Sequence, residues 1–214
     1  MSVRGYQHVA DVYEPLAELY SGGAIRAMKL AAARRLEPGA RLLCAGAGAG
    51  EEVRLALDSG ARITVVDRSR SMLALARRAV DDHAGSVGVR WVHASILDFV
   101  APEPFDVAWG HFFLNVFDHA TGSRILSRMA RLVSPDGELV VSDFAPGRGL
   151  ATPGRSLYYR LPLAIFWLVT GNAWRAAPDV AEWATDCRLR LDGVEDFRVF
   201  GRGPAWLRQW RFRT

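Results

Sequence analysis

The stretch RLLCAGAGAGEE, residues 41–52, decides the fold of this chain. Its apolar start predicts a buried strand, its glycines predict a tight turn, and its acidic end predicts the start of a helix. The run ITVVD, residues 63–67, predicts a second strand that ends in an acid. An α/β sheet that binds an adenosine ligand has its elements in this order: a strand, a glycine loop, a helix, and a second strand that ends in an acid. Glycine lets the backbone approach that ligand closely, and the acid lies where it can accept hydrogen bonds from a ribose diol.

The glycine spacing distinguishes between adenosine cofactors. Gly46 and Gly48 fit a dinucleotide fingerprint, but its third glycine position is Glu51, so the loop is G-x-G-x-G. Glu51 and Glu52 fall in the first turn of the predicted helix, where carboxylates would repel a pyrophosphate. S-adenosylmethionine (SAM) has no phosphate and carries a sulfonium cation. The sequence therefore favours SAM over NAD, and an NAD-binding oxidoreductase is the less favoured alternative.

Further motifs follow the loop in a specific order. The first are the loop glycines Gly46, Gly48 and Gly50 and the acid Asp67 at the end of the second strand. They are followed by FDVAWG (105–110) in the fourth predicted strand and by SPDGELVVSD (134–143) at the fifth. In this order the chain resembles the class I SAM-dependent methyltransferases of small-molecule type, clearly over about residues 10–145. The resemblance implies an α/β fold with a Rossmann-like, seven-stranded, mainly parallel sheet. Its last strand is antiparallel, and the layers are α/β/α.

Two positions depart from the resemblance. Cys44 stands where the family usually has Asp or Glu, and Ser95 or Ala94 stands where an acid usually pairs with the adenine amino group. Each missing anchor is expected to cost about 1 kcal/mol or more of cofactor binding. A non-catalytic protein of the same fold, which binds a ligand or a partner, is therefore the main alternative to an enzyme.

Hydrophobic patterning divides the chain within one methyltransferase-like domain, residues 1–214. The predicted parts are an N-terminal helical cap at 1–36, a cofactor-binding core at 37–145, a helical insertion or lid at 146–190 and a C-terminal hairpin at 191–214. The predicted strands are 41–45, 62–67, 89–93, 105–110, 138–143, 194–200 and 206–212. The first five alternate with helical patterns, which predicts parallel strands joined by crossovers. A helix is predicted to start at Ser69 or Ser71.

The predicted cofactor contacts follow the carboxyl ends of the strands. They are Gly46, Gly48, Gly50, Asp67, Arg68, Met72, Ser95, Ile96 and Gly110. Asp67 has an alternative role as a helix cap, and Met72 as a core residue. Ser95 and Ile96 would flank the adenine.

The predicted catalytic residues are His111, which follows the fourth predicted strand, and Asp143, which ends the fifth. His111 is a candidate general base because imidazole titrates near neutral pH, or else a supporting residue satisfied by hydrogen bonds. Asp143 would orient a substrate hydroxyl or His111, or cap the following loop. The predicted acceptor contacts are Tyr13, Tyr20, His111, Phe112, Tyr158 and Tyr159. A lipid, quinone or natural-product acceptor is predicted from the apolar character of Phe112, Phe113, Tyr158, Tyr159, Phe166 and Trp167. No histidine spacing predicts a metal site.

Composition and charge limit the classes of partner that the chain is expected to bind. The chain has 214 residues, is 50% hydrophobic and carries a net charge of +4. It has no basic block and no aromatic-basic alternation, so nucleic acid is not expected as a partner. Two separated cysteines and a polar N-terminus predict a cytoplasmic protein. The apolar segment 156–170 is interpreted as a buried helix, as a lid, or as a peripheral membrane contact.

Overall fold

Seven strands form one sheet in the computed structural model, which describes residues 21–145, 179–201 and 205–213. The strands are β1 (Arg41–Ala45), β2 (Arg62–Asp67), β3 (Arg90–His93), β4 (Phe105–His111), β5 (Val133–Phe144), β6 (Arg190–Arg198) and β7 (Ala205–Arg213). Their order is β3-β2-β1-β4-β5-β7-β6. The pairs among β1–β5 are parallel, and β7 is antiparallel to both β5 and β6. The predicted mainly parallel sheet with an antiparallel last strand is therefore confirmed.

Helices cover both faces of this sheet. Within the described residues they are α1 (Ala24–Ala33), α2 (Glu51–Asp58), α3 (Arg70–Ala79), α4 (His119–Leu132) and α5 (Val180–Asp186). Leu42 and Cys44 of β1 point into a core with α1, α2 and α3, whereas Leu43 and Ala45 point into a core with α4 and α5. Apolar side chains on both faces of a strand are typical of a parallel sheet covered by helices on each side. The predicted α/β/α layering is confirmed.

Polar residues start two of these helices by capping free backbone N–H groups. The Ser69 hydroxyl accepts a hydrogen bond from the Met72 N–H at 3.3 Å, which selects Ser69 over Ser71 as the cap of α3. Asp118 Oδ1 accepts from the Thr121 N–H at 2.7 Å at the start of α4. Both caps lie at the carboxyl edge of the sheet, so they fix the loops that surround the predicted site.

Two strands, β5 and β6, differ from the sequence prediction by more than one residue at an end. The turn expected at 134–137 lies inside β5, where the pairing with β4 jumps from Phe105–Val133 to Val107–Glu138. Gly137 permits this irregularity because a Cβ there would overlap Val133 and the Asp106 carbonyl oxygen. The predicted strand 194–200 instead spans 190–198 and ends in a short 3-10 turn over Val199–Gly201.

Candidate functional site

The glycine loop after β1 has the left-handed backbone that its sequence predicts. Gly46, Gly48 and Gly50 have φ of 88°, 50° and 96°. An added Cβ would lie 2.9 Å from the Phe113 ring at Gly46, 2.8 Å from Glu52 Oε1 at Gly48 and 2.8 Å from the Ala76 carbonyl oxygen at Gly50. Positive φ disfavours a side chain at all three positions, and at Gly50 the close neighbour is helix backbone that cannot move aside. Their contact with a cofactor stays a prediction.

Asp67 joins the end of β2 to this loop. Its Oδ2 accepts a hydrogen bond from the Ala47 N–H at 2.8 Å, and its Oδ1 accepts from the Ser69 N–H at 2.7 Å. A carboxylate has about four acceptor positions, so two bonds leave capacity for a ribose diol. The structure thus places the predicted ribose acid against the predicted glycine loop, 20 residues away in sequence.

The remaining predicted cofactor residues differ in accessibility. Arg68 is exposed, and Met72 is partly buried against the core. The Ser95 hydroxyl accepts from the Leu97 N–H at 3.2 Å, and Ile96 is 4% exposed within the core. Gly110 is buried, with Met129 of α4 3.3 Å from the position of an added Cβ. Ile96 therefore packs in the core in this structure, and any contact with adenine would involve only its remaining exposed edge.

His111 ends β4 on the sheet face that carries α1 and α2. Its ring lies 5.1 Å from the Trp109 ring, centroid to centroid, and only 9% of the residue is exposed. Neither ring nitrogen has a hydrogen-bond partner in the described part of the chain. Burial, reinforced by the charge of Lys29, lowers the pKa of His111 from 6.5 to about 3. The imidazole is therefore neutral near pH 7 and is a weak proton acceptor.

Asp143 ends β5 on the opposite face. His111 is in register with Ser142, and successive strand residues point to alternate faces, so the Asp143 side chain points away from His111. Its Oδ1 accepts from Asn115 Nδ2 at 3.1 Å and from the Phe144 N–H at 2.8 Å. The prediction that Asp143 orients His111 is wrong, because its face follows from the β4–β5 register. Asn115 is a site residue that the sequence analysis missed.

The pKa of the Asp143 carboxyl group is strongly perturbed by burial. This side chain is fully buried, and its Oδ2 has no hydrogen-bond partner among the residues that the structure describes. Burial raises its pKa from 3.8 to about 7, against the smaller opposing effects of the Phe144 and Asn115 hydrogen bonds. A carboxyl group with this pKa is partly protonated at neutral pH.

A buried charge cluster against the loop was also missed. Lys29 Nζ lies 2.8 Å from Glu51 Oε2 and 3.1 Å from Glu52 Oε2. Burial lowers the pKa of Lys29, but the two carboxylates outweigh it and hold that pKa above its ordinary value. The signal available in the sequence was that Lys29 is the only lysine, on an otherwise apolar helix face.

Aromatic rings line the carboxyl edge of β4 and β5. The Phe113 and Phe117 rings meet edge to face at 5.5 Å, and Phe144 contacts Phe112 at 5.4 Å and Trp206 at 5.5 Å. Phe112 holds a left-handed φ of 50°, a conformation that costs a bulky residue about 1–3 kcal/mol. The predicted acceptor residue Phe112 thus belongs to an aromatic rim at the expected edge.

Several predictions concern residues outside the described ranges. These are the acceptor contacts Tyr13, Tyr20, Tyr158 and Tyr159 and the membrane segment 156–170. Among the described residues, no helix is both long and apolar enough to cross a bilayer. No group of metal-ligating side chains occurs in the same ranges.

Comparisons with known proteins agree with this architecture. Residues 42–137 match the family model described as a methyltransferase domain. No curated protein sequence matches the chain significantly.

Similar solved structures include the mitomycin 7-O-methyltransferase MmcR, with 20% identity and a TM-score of 0.68 over 97% of this chain and 60% of that chain. The 1,6-didemethyltoxoflavin-N1-methyltransferase of Burkholderia thailandensis has 19% identity and a TM-score of 0.66 over 99% and 87% of the two chains, and its structure holds 1,6-didemethyltoxoflavin and S-adenosylhomocysteine. The 4+2 cyclase SpnF has 20% identity and a TM-score of 0.67 over 90% and 82%. At these identities the likeness establishes the fold.

Proposed function

Because residues 42–137 match the model of a methyltransferase domain, we propose that this protein transfers the methyl group of SAM to a small, largely apolar acceptor. The observation that carries the proposal is the hydrogen bond from the Ala47 N–H to Asp67, which places an acid at the glycine loop. This is the arrangement that a ribose diol requires.

The residues present fit the cofactor. Asp67 retains acceptor capacity for the ribose, and the loop between β1 and α2 has the glycine backbone that close approach requires. Glu51 and Glu52 open α2 with negative charge, which suits a sulfonium and opposes a pyrophosphate. When bound, SAM supplies a methyl group already activated by the sulfonium. The protein then has mainly to align donor and acceptor.

The aromatic rim supports an apolar acceptor. Phe112, Phe113 and Phe117 place partly exposed apolar surface just after β4, at the carboxyl edge where ligands bind in open α/β sheets. A lipid, a quinone or a natural product with an aromatic or aliphatic body matches this surface. The 1,6-didemethyltoxoflavin-N1-methyltransferase of the same fold has 1,6-didemethyltoxoflavin bound, which supports a small-molecule acceptor here.

Asp143 is the better proton acceptor of the two predicted catalytic residues. A general base works best when its pKa lies near the operating pH, and the pKa of Asp143 is raised to about 7 whereas that of His111 is lowered to about 3. Asn115 holds one carboxylate oxygen of Asp143, and the other oxygen is unpaired among the described residues. His111 then contributes a neutral polar surface.

The proposal is tested by binding and turnover. Calorimetry should detect SAM and S-adenosylhomocysteine at micromolar to millimolar concentrations and should not detect NAD. Incubation with SAM and a panel of phenolic, quinone and lipid acceptors should release S-adenosylhomocysteine only with a true acceptor. Undetectable SAM binding at millimolar concentration would remove the proposed function.

A second candidate is a protein that binds SAM or another ligand without methyl transfer. Cys44 lacks the acid usual at that position, and the cyclase SpnF shows that a protein of another named activity shares this fold. SAM binding without S-adenosylhomocysteine release across the acceptor panel would favour this candidate. The four-part division of the chain, the peripheral membrane contact through 156–170 and the cytoplasmic location also stay predictions.

A further inference from the structure

A cavity of about 410 Å³ lies on the face of α4 that is turned away from the core, and we call it the α4 cavity. Its α4 residues are spaced at i, i+1, i+4, i+5 and i+8, which places them on one helix face. The buried residues Ile125, Leu126 and Met129 lie on the opposite face. The lining from α4 consists of two serines and three arginines: Ser123, Arg124, Ser127, Arg128 and Arg131. None of the described lining residues belongs to the predicted cofactor, catalytic or acceptor set.

Two other segments contribute to the described lining. Leu97 comes from the loop after β3, and Cys187 directly follows α5. Arg128 Nη2 donates a hydrogen bond to the Phe99 carbonyl oxygen, which ties α4 to the first segment. Cys187 Sγ donates to the Ser123 carbonyl oxygen at 3.2 Å, which ties α4 to the second. Hydrogen bonds therefore hold together the three segments that form the cavity.

Positive charge exceeds negative charge in the α4 cavity. Arg124, Arg128 and Arg131 have no ion pair within residues 21–145, 179–201 and 205–213. The carboxylate of the described lining belongs to Asp186, and its Oδ2 lies 3.5 Å from His119 Nε2 instead. Three guanidinium groups and one carboxylate leave an excess of two positive charges.

The Cys187 thiol reports the charges that act on the cavity. Burial and the charge of Asp186 raise the pKa of Cys187, whereas the charge of Arg131 lowers it. Arg131 is an exposed residue, yet its guanidinium lies close enough to act on this thiol. An anion that enters beside Cys187 would therefore experience the positive charge of Arg131.

Hydrogen-bond donors are also present in the lining. Arg128 Nε and Ser123 Oγ are buried and have no partner among the described residues. A guanidinium group only donates and a serine hydroxyl can donate, so this lining suits a ligand that is rich in acceptor oxygens. Arginine in particular matches the geometry of phosphate, through two parallel N–H···O bonds.

We propose that the α4 cavity binds a phosphate group, either on a free anion or in a lipid headgroup. A phosphate monoester carries about 1.5–2 negative charges at neutral pH, which matches the excess of positive charge. This binding is independent of methyl transfer, because the cavity shares no described residue with the predicted cofactor site. Since Arg124 and Arg131 are exposed, salt screens their charges, and binding is expected to weaken as the salt concentration rises.

The experiment offers the full chain phosphate from both sources at about 20 mM salt, where screening is weak. Calorimetry with inorganic pyrophosphate measures binding of a free anion. Co-sedimentation with vesicles of phosphatidylglycerol and phosphatidylcholine measures binding of a headgroup, and vesicles of phosphatidylcholine alone correct for adsorption to a zwitterionic surface. We expect binding in at least one arm, and the arm that responds identifies the source.

Arg124→Gln combined with Arg131→Gln tests the cavity. Both arginines are exposed, so their replacement should leave the fold intact, which urea unfolding checks. Loss of two partly solvated, charge-assisted contacts should weaken binding about tenfold or more. The dissociation constant for pyrophosphate and the lipid concentration at half-maximal sedimentation give this comparison in the two arms.

Arg77→Gln combined with Arg78→Gln is the matched control. These exposed arginines lie in the last turn of α3, do not line the cavity, and their replacement removes the same net charge. The control should bind within about twofold of wild type. Equal weakening in both double variants would show only a general attraction of anions to a chain of net charge +4, and would overturn the proposal. The absence of binding in both arms would overturn it as well, and would leave SAM binding and the proposed function untouched.

Discussion

Replacement of Asp143 by Asn should stabilise the protein above neutral pH and slow methyl transfer. The Asp143 carboxylate is fully buried, and its Oδ2 is unpaired among the described residues, so its charged form is disfavoured in the folded state. An Asn oxygen can still accept from the Phe144 N–H and from Asn115 Nδ2, which preserves the local hydrogen bonds. The substitution therefore removes mainly the cost of a buried charge.

The direction and size of the pH effect on stability follow from the pKa of Asp143, which is 3.8 ordinarily and about 7 in the folded protein. Because the folded-state pKa is raised, the stability that this group contributes is fully present below pH 3.8 and is lost as the pH rises through about 7. The whole shift corresponds to about 4 kcal/mol, of which about 3 kcal/mol is lost between about pH 5 and about pH 8.

His111 acts in the opposite direction. Its pKa falls from 6.5 to about 3 on folding, so the unfolded chain binds the extra proton and stability decreases as the pH falls below about 6.5. Protonation of this group in the unfolded chain lowers the free energy of unfolding by about 2 kcal/mol as the pH falls from about 8 to about 5. The wild-type pH profile therefore mixes two opposing effects, and only the difference between wild type and Asp143→Asn isolates the carboxylate.

The assay is urea unfolding of both proteins at about pH 5 and about pH 8, with Asp136→Asn as the control for an exposed carboxylate. The free energy of unfolding of Asp143→Asn minus that of wild type should rise by about 3 kcal/mol from the lower to the higher pH. In parallel, kcat with a true acceptor should fall about a hundredfold or more. An unfolding difference that is the same at both pH values would refute the argument that burial shifts this carboxyl group.

Two other substitutions test the loop. Asp67→Ala removes the acceptor of the Ala47 N–H and should weaken S-adenosylhomocysteine severalfold or more in calorimetry, whereas the exposed Asp98→Ala should not; unchanged affinity would exclude Asp67 from the ribose site. Gly50→Ala should lower the free energy of unfolding by about 2 kcal/mol more than Gly39→Ala, because both have positive φ but only Gly50 would meet α3, and equal losses in urea unfolding would contradict this packing.

Much of the fold was predictable because its determinants are local. Alternating strand and helix periodicities along residues 41–145 predicted parallel pairing, and the Gly-rich connection at 201–204 predicted the antiparallel hairpin that β6 and β7 form. The bond between Asp67 and the loop was also foreseeable, because the carboxyl ends of neighbouring parallel strands meet at one edge. The start of β5 was missed because an irregular strand and a turn share the same residues, Ser134–Gly137.

By itself, then, the sequence determined a doubly covered parallel sheet and a glycine loop with an acid one strand away, since periodicity and glycine content act over a few residues. Only the tertiary structure decided on which face of the sheet each candidate catalytic side chain lies and in which direction its pKa is shifted. The β4–β5 register put His111 and Asp143 on opposite faces, and burial moved their two pKa values apart. The packing of α1 on α2 brought Lys29 to Glu52. These relations depend on pairing and burial between distant segments, which no local pattern of residues specifies.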